Sequence, residues 1–316
     1  MWNNITWKKI MWTWIILTCS VLFIIYAILN RDPSKVLLNH LEDKYHKEFV
    51  IAYSGERSDG ISSWYEAEIY PKELIGTIKE NDTYYWAKGF VEAGESGDTY
   101  GQVLLKESAN KFYLPKLEEL FGKNVLPVIE INAKFCKFTD FEKELEDLKK
   151  INAPMPISGG IYIFGRVEND EDREWYRKQI YEFVQFMKQT GTFEYVSLNV
   201  AVVDERILSE EYQNNSEFIK KLIQKAETNN MEWQEYRDFR RELYNKNFPK
   251  NYTLKTSLDD INRTKILEHV GEWSNYNALL YIKIYSPKYL ESNPALKKEK
   301  KLYNKVEDIK FGYETW

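Results

Sequence analysis

Hydrophobic and polar positions form three patterns along this chain, and the first of them is an unbroken apolar run. From Ile10 to Leu29 the sequence reads IMWTWIILTCSVLFIIYAIL, without a charged residue or a proline. About 20 residues in a helix extend roughly 30 Å, which matches the hydrocarbon core of a bilayer. Tryptophans cluster at its N-terminal side, where an aromatic belt is expected. The pattern predicts one transmembrane helix over residues 10–29, preceded by a short tail, residues 1–9.

Three other interpretations of this run fit less well. A cleaved signal peptide has a shorter apolar stretch and ends in small residues near an Ala-x-Ala-like site. A lipoprotein signal stops at its cysteine, whereas a further ten largely apolar residues follow Cys19. A buried core helix is rarely apolar on every face over such a length. The run is therefore interpreted as an uncleaved anchor in the lipid bilayer.

The charges on either side of the span indicate its orientation. Lys8 and Lys9 precede it with no acidic residue nearby, and basic flanks tend to stay in the cytoplasm. Arg31, Lys35 and Lys44 nearly balance them on the other side. We expect a single-pass signal anchor in the cell membrane with the soluble region outside the cytoplasm. A membrane-anchored regulatory domain that faces the cytoplasm is the alternative.

Beyond the span, alternating runs typical of strands are mixed with helical periodicities. An amphipathic helix is expected at Val36–Lys47, leading directly into a strand at Phe49–Tyr53. The turn-rich stretch SGERSDGIS then separates this strand from the next. Further expected elements are strands at Ser63–Tyr70, Tyr84–Ala93 and Val125–Ala133, and a helix at Thr99–Phe121 interrupted at Pro115.

The clearest unit is a strand–helix–strand over residues 160–203. Gly160–Val167 (GIYIFGRV) is a predicted strand, and Asn169 is a suitable N-cap for the helix that follows. FEYVSLNVAVV at Phe193–Val203 is a strong predicted strand. Helices are expected at Glu217–Glu227 and Trp233–Asn245, a last strand at Ala278–Tyr285, and a mostly polar tail after it.

These elements predict an α+β (mixed α/β) fold, in which one N-terminal transmembrane helix precedes a soluble region of sheets with packed helices. Helical and strand patterns are mixed rather than strictly alternating, which is typical of that class. Two soluble α+β units are expected, residues 36–135 and residues 138–316. Each opens with a helix that is followed by a strand.

Composition narrows the possible partners. Hydrophobic residues make up 43% of the chain and charged residues 29%, which is typical of a folded protein. The net charge of −5 argues against a nucleic-acid binder, which needs a basic surface to neutralise phosphates. The two cysteines, Cys19 and Cys136, lie in different parts of the chain. A disulfide is therefore not expected, and a metal site made of cysteines is excluded.

Two segments, together with the anchor, resemble a known group of proteins. They are LLNHLEDKYHKEF and YEFVQFMKQTGTFEYVSLNVAVVDER, in a chain rich in Lys, Asn, Ile and Tyr. The combination resembles uncharacterised single-pass envelope proteins of low-GC Gram-positive bacteria. The resemblance implies an outward-facing domain and no particular activity.

Few residues point to catalysis or to metal binding. His40 and His46 are six residues apart, so they do not share a helix face as metal ligands would, and His269 is distant. Cys136 has flanking lysines but no base supplied by a motif. Ser158-Gly159-Gly160 precedes a strand rather than linking strand to helix, so a turn is expected there instead of a phosphate loop. No cofactor, metal site or catalytic residue is assigned.

Carboxylates are the strongest enzymatic candidates. Asp204 and Glu205 follow a strong strand, where α/β folds often place functional residues. With Glu66 and Glu68 they suggest an acid pair like that of a glycosidase. Against this, Glu66 and Glu68 fall on the polar side of an amphipathic strand.

The favoured interpretation is a membrane-tethered extracytoplasmic binding protein without catalytic activity. Its expected partner, besides the bilayer at residues 10–29, is another envelope or membrane protein. The anchor and a well-patterned fold without catalytic equipment support this interpretation. An envelope hydrolase that uses carboxylates near Asp204 and Glu205 is the enzymatic alternative.

Overall fold

The computed structural model describes residues 12–18, 32–131, 137, 139–208, 239, 242, 278–296 and 301–312. These residues form two four-stranded sheets with packed helices. The predicted α+β class is therefore confirmed. The chain divides into two compact units, Met1–Tyr100 and Gly101–Trp316. The strand at Val125–Ile131, which falls within the predicted unit 36–135, pairs within the second sheet.

From residue 32 onward, the first unit contains one α-helix and an antiparallel meander. Its elements are α1 (Pro33–Tyr45), β1 (Phe49–Ser58), β2 (Ser63–Pro71), β3 (Ala87–Glu92) and β4 (Glu95–Asp98). The strands lie in the order β1-β2-β3-β4, and each neighbouring pair is antiparallel. Two short 3₁₀ turns, Lys72–Leu74 and Thr83–Tyr85, lie in the connection between β2 and β3.

Local sequence explains where α1 begins and how it packs. The Asp32 side chain caps the helix by accepting a hydrogen bond from the backbone N–H of Ser34 at 3.0 Å. Leu37 and Leu41 are one turn apart and fully buried. A Cβ at Gly89 of β3 would lie 2.7 Å from the methyl carbons of Leu37. Glycine is thus required at this position for the helix to approach the sheet so closely.

The second unit is organised around a mixed sheet. Its strands are β5 (Val125–Ile131), β6 (Pro156–Gly165), β7 (Tyr195–Asp204) and β8 (Ala278–Tyr285), in that order across the sheet. Strands β6 and β7 are parallel, whereas β5 and β8 add to their outer edges in antiparallel directions. The α-helices whose bounds the structure describes here are α2 (Tyr100–Phe121), α3 (Phe141–Lys150), α4 (Asp170–Gln189) and α5 (Pro287–Ser292).

Helix α4 connects the two parallel strands. The Asn169 side chain accepts a hydrogen bond from the backbone N–H of Asp172 at 2.9 Å and so caps the first turn. One face of the helix is buried in the core of the unit; it consists of Tyr176, Ile180, Phe183, Val184 and Met187. The strand–helix–strand unit seen in the sequence is therefore present, with its first strand beginning earlier, at Pro156.

Two local predictions for the second unit are wrong. Helix α2 continues through Pro115 instead of breaking there, and the buried side chains of Tyr113 and Leu117 lie on either side of the proline. Packing thus outweighs the loss of one backbone hydrogen bond. Ser158-Gly159-Gly160 lies inside β6 and not in a turn. At Gly159, where φ is +113°, a Cβ would lie 2.1 Å from the carbonyl oxygen of Val128.

The C-terminal segment, defined here as residues 301–312, completes the core. Tyr303, Ile309 and Phe311 are buried with the side chains of the sheet and helices. The segment also joins the edge of the sheet, since the N–H of Gly312 donates to the carbonyl oxygen of Tyr281 in β8 at 2.7 Å. A stretch that reads as a polar tail is therefore an integral part of the second unit.

A row of donors on α4 holds this segment by its backbone. Gln185 Nε2 donates to the carbonyl oxygen of Tyr303 at 2.7 Å, and Lys188 Nζ donates to the same oxygen at 2.8 Å. The hydroxyl of Tyr181 donates to the carbonyl oxygen of Asn304 at 3.1 Å. These contacts satisfy backbone groups in a segment that has little regular structure.

The predicted membrane span lies mostly outside the described residues. Only residues 12–18 of it are described, and they are helical. Within the described parts of the chain, no helix has both the length and the apolar character needed to cross a membrane. The helices predicted at 217–227 and 233–245 also lie outside the described residues, apart from positions 239 and 242.

Replacing Phe311 by alanine tests the contribution of the C-terminal segment. We expect Phe311→Ala to lower the free energy of unfolding of the second unit by about 3 kcal/mol, because it removes a buried ring and leaves a cavity. Leu302→Ala is the matched control, since Leu302 is 57% exposed on the same segment. Hydrogen exchange of amides in β8 measures the free energy of unfolding of both variants. Equal effects would show that the segment does not contribute to the core.

Candidate functional site

Asp204 and Glu205 lie where two parallel strands end. Gly165, the last residue of β6, is paired with Asp204, the last residue of β7. Arg166 and Glu205 follow directly, so the strand ends bring acidic and basic side chains together. This edge of the sheet is where α/β folds often place functional groups.

Arginines engage both carboxylates at this edge. Arg206 Nε lies 2.9 Å from Asp204 Oδ1 and 3.0 Å from Oδ2, and the backbone N–H of Arg206 donates to Oδ1 at 3.0 Å. Arg166 Nε lies 3.4 Å from Glu205 Oε1. The sequence identified the two acids but not their arginine partners, although Arg206 is only two residues from Asp204.

Tyr176 of α4 lies beneath this group. Burial, together with the charges of Glu205 and Asp172, raises the pKa of Tyr176 to about 12. A Cβ at Gly165 would lie 2.1 Å from its hydroxyl oxygen. The glycine at the end of β6 therefore leaves room for a protonated tyrosine hydroxyl beside the strand ends.

The arrangement favours a structural role for the two carboxylates. A glycosidase-like mechanism needs one carboxyl group that carries a proton and can donate it. Here each acid is already engaged by a guanidinium group of the protein, Asp204 by Arg206 and Glu205 by Arg166. The ion pairs instead connect the ends of β6 and β7 with the residues that follow them.

The other predicted acids, Glu66 and Glu68, lie in the first unit, on β2. Glu66 Oε1 lies 3.4 Å from Lys88 Nζ and 3.7 Å from Arg57 Nε. It therefore takes part in a row of charges across the sheet. The two acid pairs belong to different compact units, Glu66 and Glu68 to the first and Asp204 and Glu205 to the second.

A buried carboxylate that the sequence analysis missed organises the first unit. The side chain of Asp98, at the end of β4, is fully buried. Its Oδ1 accepts hydrogen bonds from the Tyr45 hydroxyl at 2.6 Å and the backbone N–H of Tyr100 at 2.9 Å. Its Oδ2 lies 2.8 Å from Lys44 Nζ and 3.2 Å from His40 Nε2. Asp98 thus ties the C-terminal half of α1 to β4.

The environment of Asp98 favours its charged form. Burial alone raises the pKa of a carboxyl group, but the hydrogen bonds from Lys44 and Tyr45 outweigh it and hold the pKa of Asp98 below its ordinary value of 3.8. One signal in the sequence points to this role. Asp98 stands two residues before a helix, in a position where aspartate accepts backbone N–H groups.

Histidine and cysteine contribute no metal site that the structure describes. His40 faces Asp98, and His46 ends α1 in the left-handed conformation, at φ 54°. Cys19, Cys136 and His269 lie outside the described residues. Across the described ranges, no group of three or more His, Cys, Asp or Glu side chains is arranged to hold a metal ion.

The sheet of the first unit has an exposed outer face, defined here as the face opposite α1. Tyr53 of β1 and Phe90 of β3 are 68% and 42% exposed on it. Trp86 lies between Tyr70 and Tyr53, with ring centroids 5.4 Å and 6.1 Å away. Aromatic side chains are enriched at protein-binding surfaces.

Comparisons with known proteins add little to this geometry. No protein-family model matches the chain, and no curated protein matches its sequence. Among solved structures, it is similar to a DUF5037 family protein from Ruminococcus gnavus, at 16% identity and a TM-score of 0.34. That similarity covers 55% of this chain and 76% of the other. A similarity of this size carries no argument about function.

Replacing Asp98 by asparagine tests the buried carboxylate. A carboxyl group whose pKa is lowered by folding stabilises the fold above its ordinary pKa and loses that effect as the pH falls through the lowered value. We expect Asp98→Asn to destabilise the first unit at neutral pH by about 2–4 kcal/mol and to remove part of its acid sensitivity below pH 3.8.

Hydrogen exchange of the amides in residues 33–98 over a pH series measures this effect. Glu68→Gln is the control, because it removes an exposed carboxylate from the same sheet; its effect should stay within about 0.5 kcal/mol. If Asp98→Asn matches this control at neutral pH, Asp98 does not organise the unit.

Proposed function

We propose that this chain is a membrane-tethered binding protein without catalytic activity. Residues 10–29 anchor it in the bilayer, and the two α+β units lie outside the cytoplasm, where they bind another envelope or membrane protein. The chain's resemblance to single-pass envelope proteins is consistent with this arrangement.

One observation supports the proposed membrane anchor. Five of the seven described helical residues within the predicted span are large and apolar, and all of these are exposed, with Trp12 at 61%, Trp14 at 66% and Leu17 at 57%. Large apolar side chains grouped in this way are unfavourable in water, because their burial is worth about 1.5–3 kcal/mol each. The lipid hydrocarbon is an environment that removes them from water.

The binding role follows from the remaining chemistry. The acids that favoured a hydrolase are held in ion pairs with arginines. The first unit meanwhile presents an outer face with exposed aromatic side chains. These features support recognition of a partner more than they support a reaction.

Membrane extraction tests the anchor. We expect the full-length protein to remain in the membrane after alkaline carbonate treatment, and the double variant Ile15→Asp/Leu17→Asp to be released. Each charge near the centre of a span costs about 2.5–3.5 kcal/mol, enough to offset the favourable insertion of the apolar residues. The double variant Ile15→Leu/Leu17→Ile is the control and should stay in the membrane. Release of the unmodified protein by carbonate would contradict the anchor.

Protease treatment of intact, wall-stripped cells tests the orientation. We expect a C-terminal tag to be digested from outside, because the soluble region is proposed to lie there. A tag that survives until the membrane is broken would place the soluble region in the cytoplasm. The anchor would then hold a cytoplasmic regulatory domain at the membrane.

A further inference from the structure

Strand β1 is an edge strand of its sheet, and one of its two edges pairs with no described strand. It pairs with β2 only, and among the residues that the structure describes no strand lies on its other side. A bulge at Ala52 separates its first residues from the rest. The six residues that follow, Tyr53–Ser58, are all exposed, on both faces of the sheet. They form the outer strand of a hairpin with β2.

This edge is long, and the charges that protect its exposed part are those of Glu56 and Arg57, which lie on opposite faces of the strand. Natural sheets shield their edges with very short strands, prolines, charges or bulges, because unpaired backbone groups attract other strands. The opposite edge strand, β4, has only four residues. In contrast, the six exposed residues of β1 contain no proline, and the bulge lies before them. Their backbone groups are available for pairing with another chain.

Gly55, in the middle of this edge, is not required by the packing of the chain itself. A Cβ at Gly55 would meet nothing within 4 Å, and its φ lies outside the left-handed region. Glycine in a strand interior weakens the strand and often marks a place where another chain approaches closely. The other strand glycines of this sheet differ, since Gly89 makes room for Leu37 and Gly97 makes room for Phe90.

The pair formed by Phe90 and Gly97 shows that an aromatic ring on one strand of this sheet can lie over a glycine on the next. The two residues are directly opposite each other on β3 and β4, and the Phe90 ring lies over Gly97, where a Cβ would be 2.2 Å from the ring. Gly55 belongs to the same row across the sheet, because it pairs with Glu66, which pairs with Phe90. A ring from a strand beside β1 would fit over Gly55 in the same way.

We infer that the β1 edge binds an extended polypeptide segment of a partner protein, which adds a fifth strand to the sheet. Backbone hydrogen bonds along Tyr53–Ser58 supply the affinity, and an aromatic side chain of the partner over Gly55 supplies the selectivity. Tyr53 and Arg57 flank this position on the same face of the strand. The inference rests on the proposed binding function and specifies its surface and the chemistry of its partner.

Site-specific cross-linking in native membranes tests the inference. A photoreactive benzoyl-phenylalanine replaces Tyr53 in the full-length protein, which keeps an aromatic ring at that position. We expect a discrete adduct with a second protein, cross-linked through a segment that includes an aromatic residue. The segment is then identified by mass spectrometry and synthesised as a peptide. In hydrogen exchange, that peptide should protect the amides of Tyr53–Ser58 in the purified full-length protein.

A glycine variant separates binding from folding. Gly55→Val should weaken peptide binding by roughly tenfold or more, because the new side chain fills the position of the partner's ring. The melting temperature should stay equal or rise, because valine favours strands more than glycine does. Ser54→Val is the matched control, since it adds the same side chain at the next exposed residue on the other face. It should change the affinity by no more than about twofold.

Proline variants test the backbone contacts. Successive N–H groups of a strand point to opposite edges, so one of Glu56 and Arg57 directs its N–H away from β2. Proline at the residue with the outward N–H breaks no bond to β2, so that variant, Glu56→Pro or Arg57→Pro, should keep its melting temperature. It should nevertheless lose the adduct, because proline removes a donor that the partner segment would use.

Several results would overturn the inference. They are the absence of a protein adduct at position 53, an adduct that Gly55→Val leaves unchanged, and an adduct with a second copy of this chain. The anchor is tested separately by carbonate extraction. Failure at the β1 edge with normal membrane retention therefore rejects this inference alone.

Discussion

Ten consecutive residue pairs, from Pro156 with Tyr195 to Gly165 with Asp204, hold β6 parallel to β7 in the second unit. A parallel pair cannot be joined by a tight turn, so the chain must cross over through a helix, and α4 provides this connection. One face of α4 covers the sheet, and its polar side chains hold the C-terminal segment. The ion pairs of Asp204 and Glu205 lie where the same two strands end. Most other features of the unit are built onto this pairing.

The first unit is smaller and depends on a polar interaction as well as on packing. Leu37 and Leu41 bury one side of α1, and Asp98 fixes the C-terminal half of the helix through hydrogen bonds with three of its side chains, those of His40, Lys44 and Tyr45. A buried charge is favourable only when such partners are present. With α1 fixed on one face of the sheet, the opposite face and the β1 edge remain exposed. The proposed binding surface is therefore a consequence of where α1 packs.

Long periodic segments were predictable from the sequence, and tertiary features were not. The helix at Asp170–Gln189 and the strands beside it have strong patterns, which local physics determines. The second half of β1 reads as a turn because SGER is polar, yet it forms a strand through its pairing with β2. Tyr303, Ile309 and Phe311 follow no helical or strand period, so their burial was not visible. The two acids near residue 204 were found, but their arginine partners depend on contacts that only folding creates.

The position of the C-terminal segment also determines the order in which the chain acquires structure. The first unit is complete once residue 100 has been synthesised, since all its strands lie before that point. The second unit lacks part of its core until Phe311 has emerged, because that ring packs with residues made much earlier. Until then α4 and β8 expose the apolar surface that the segment will cover, and synthesis from the N-terminus makes all of the first unit available to fold before the second. The core of the second unit therefore cannot close before Phe311 has left the ribosome, long after β7 has been synthesised.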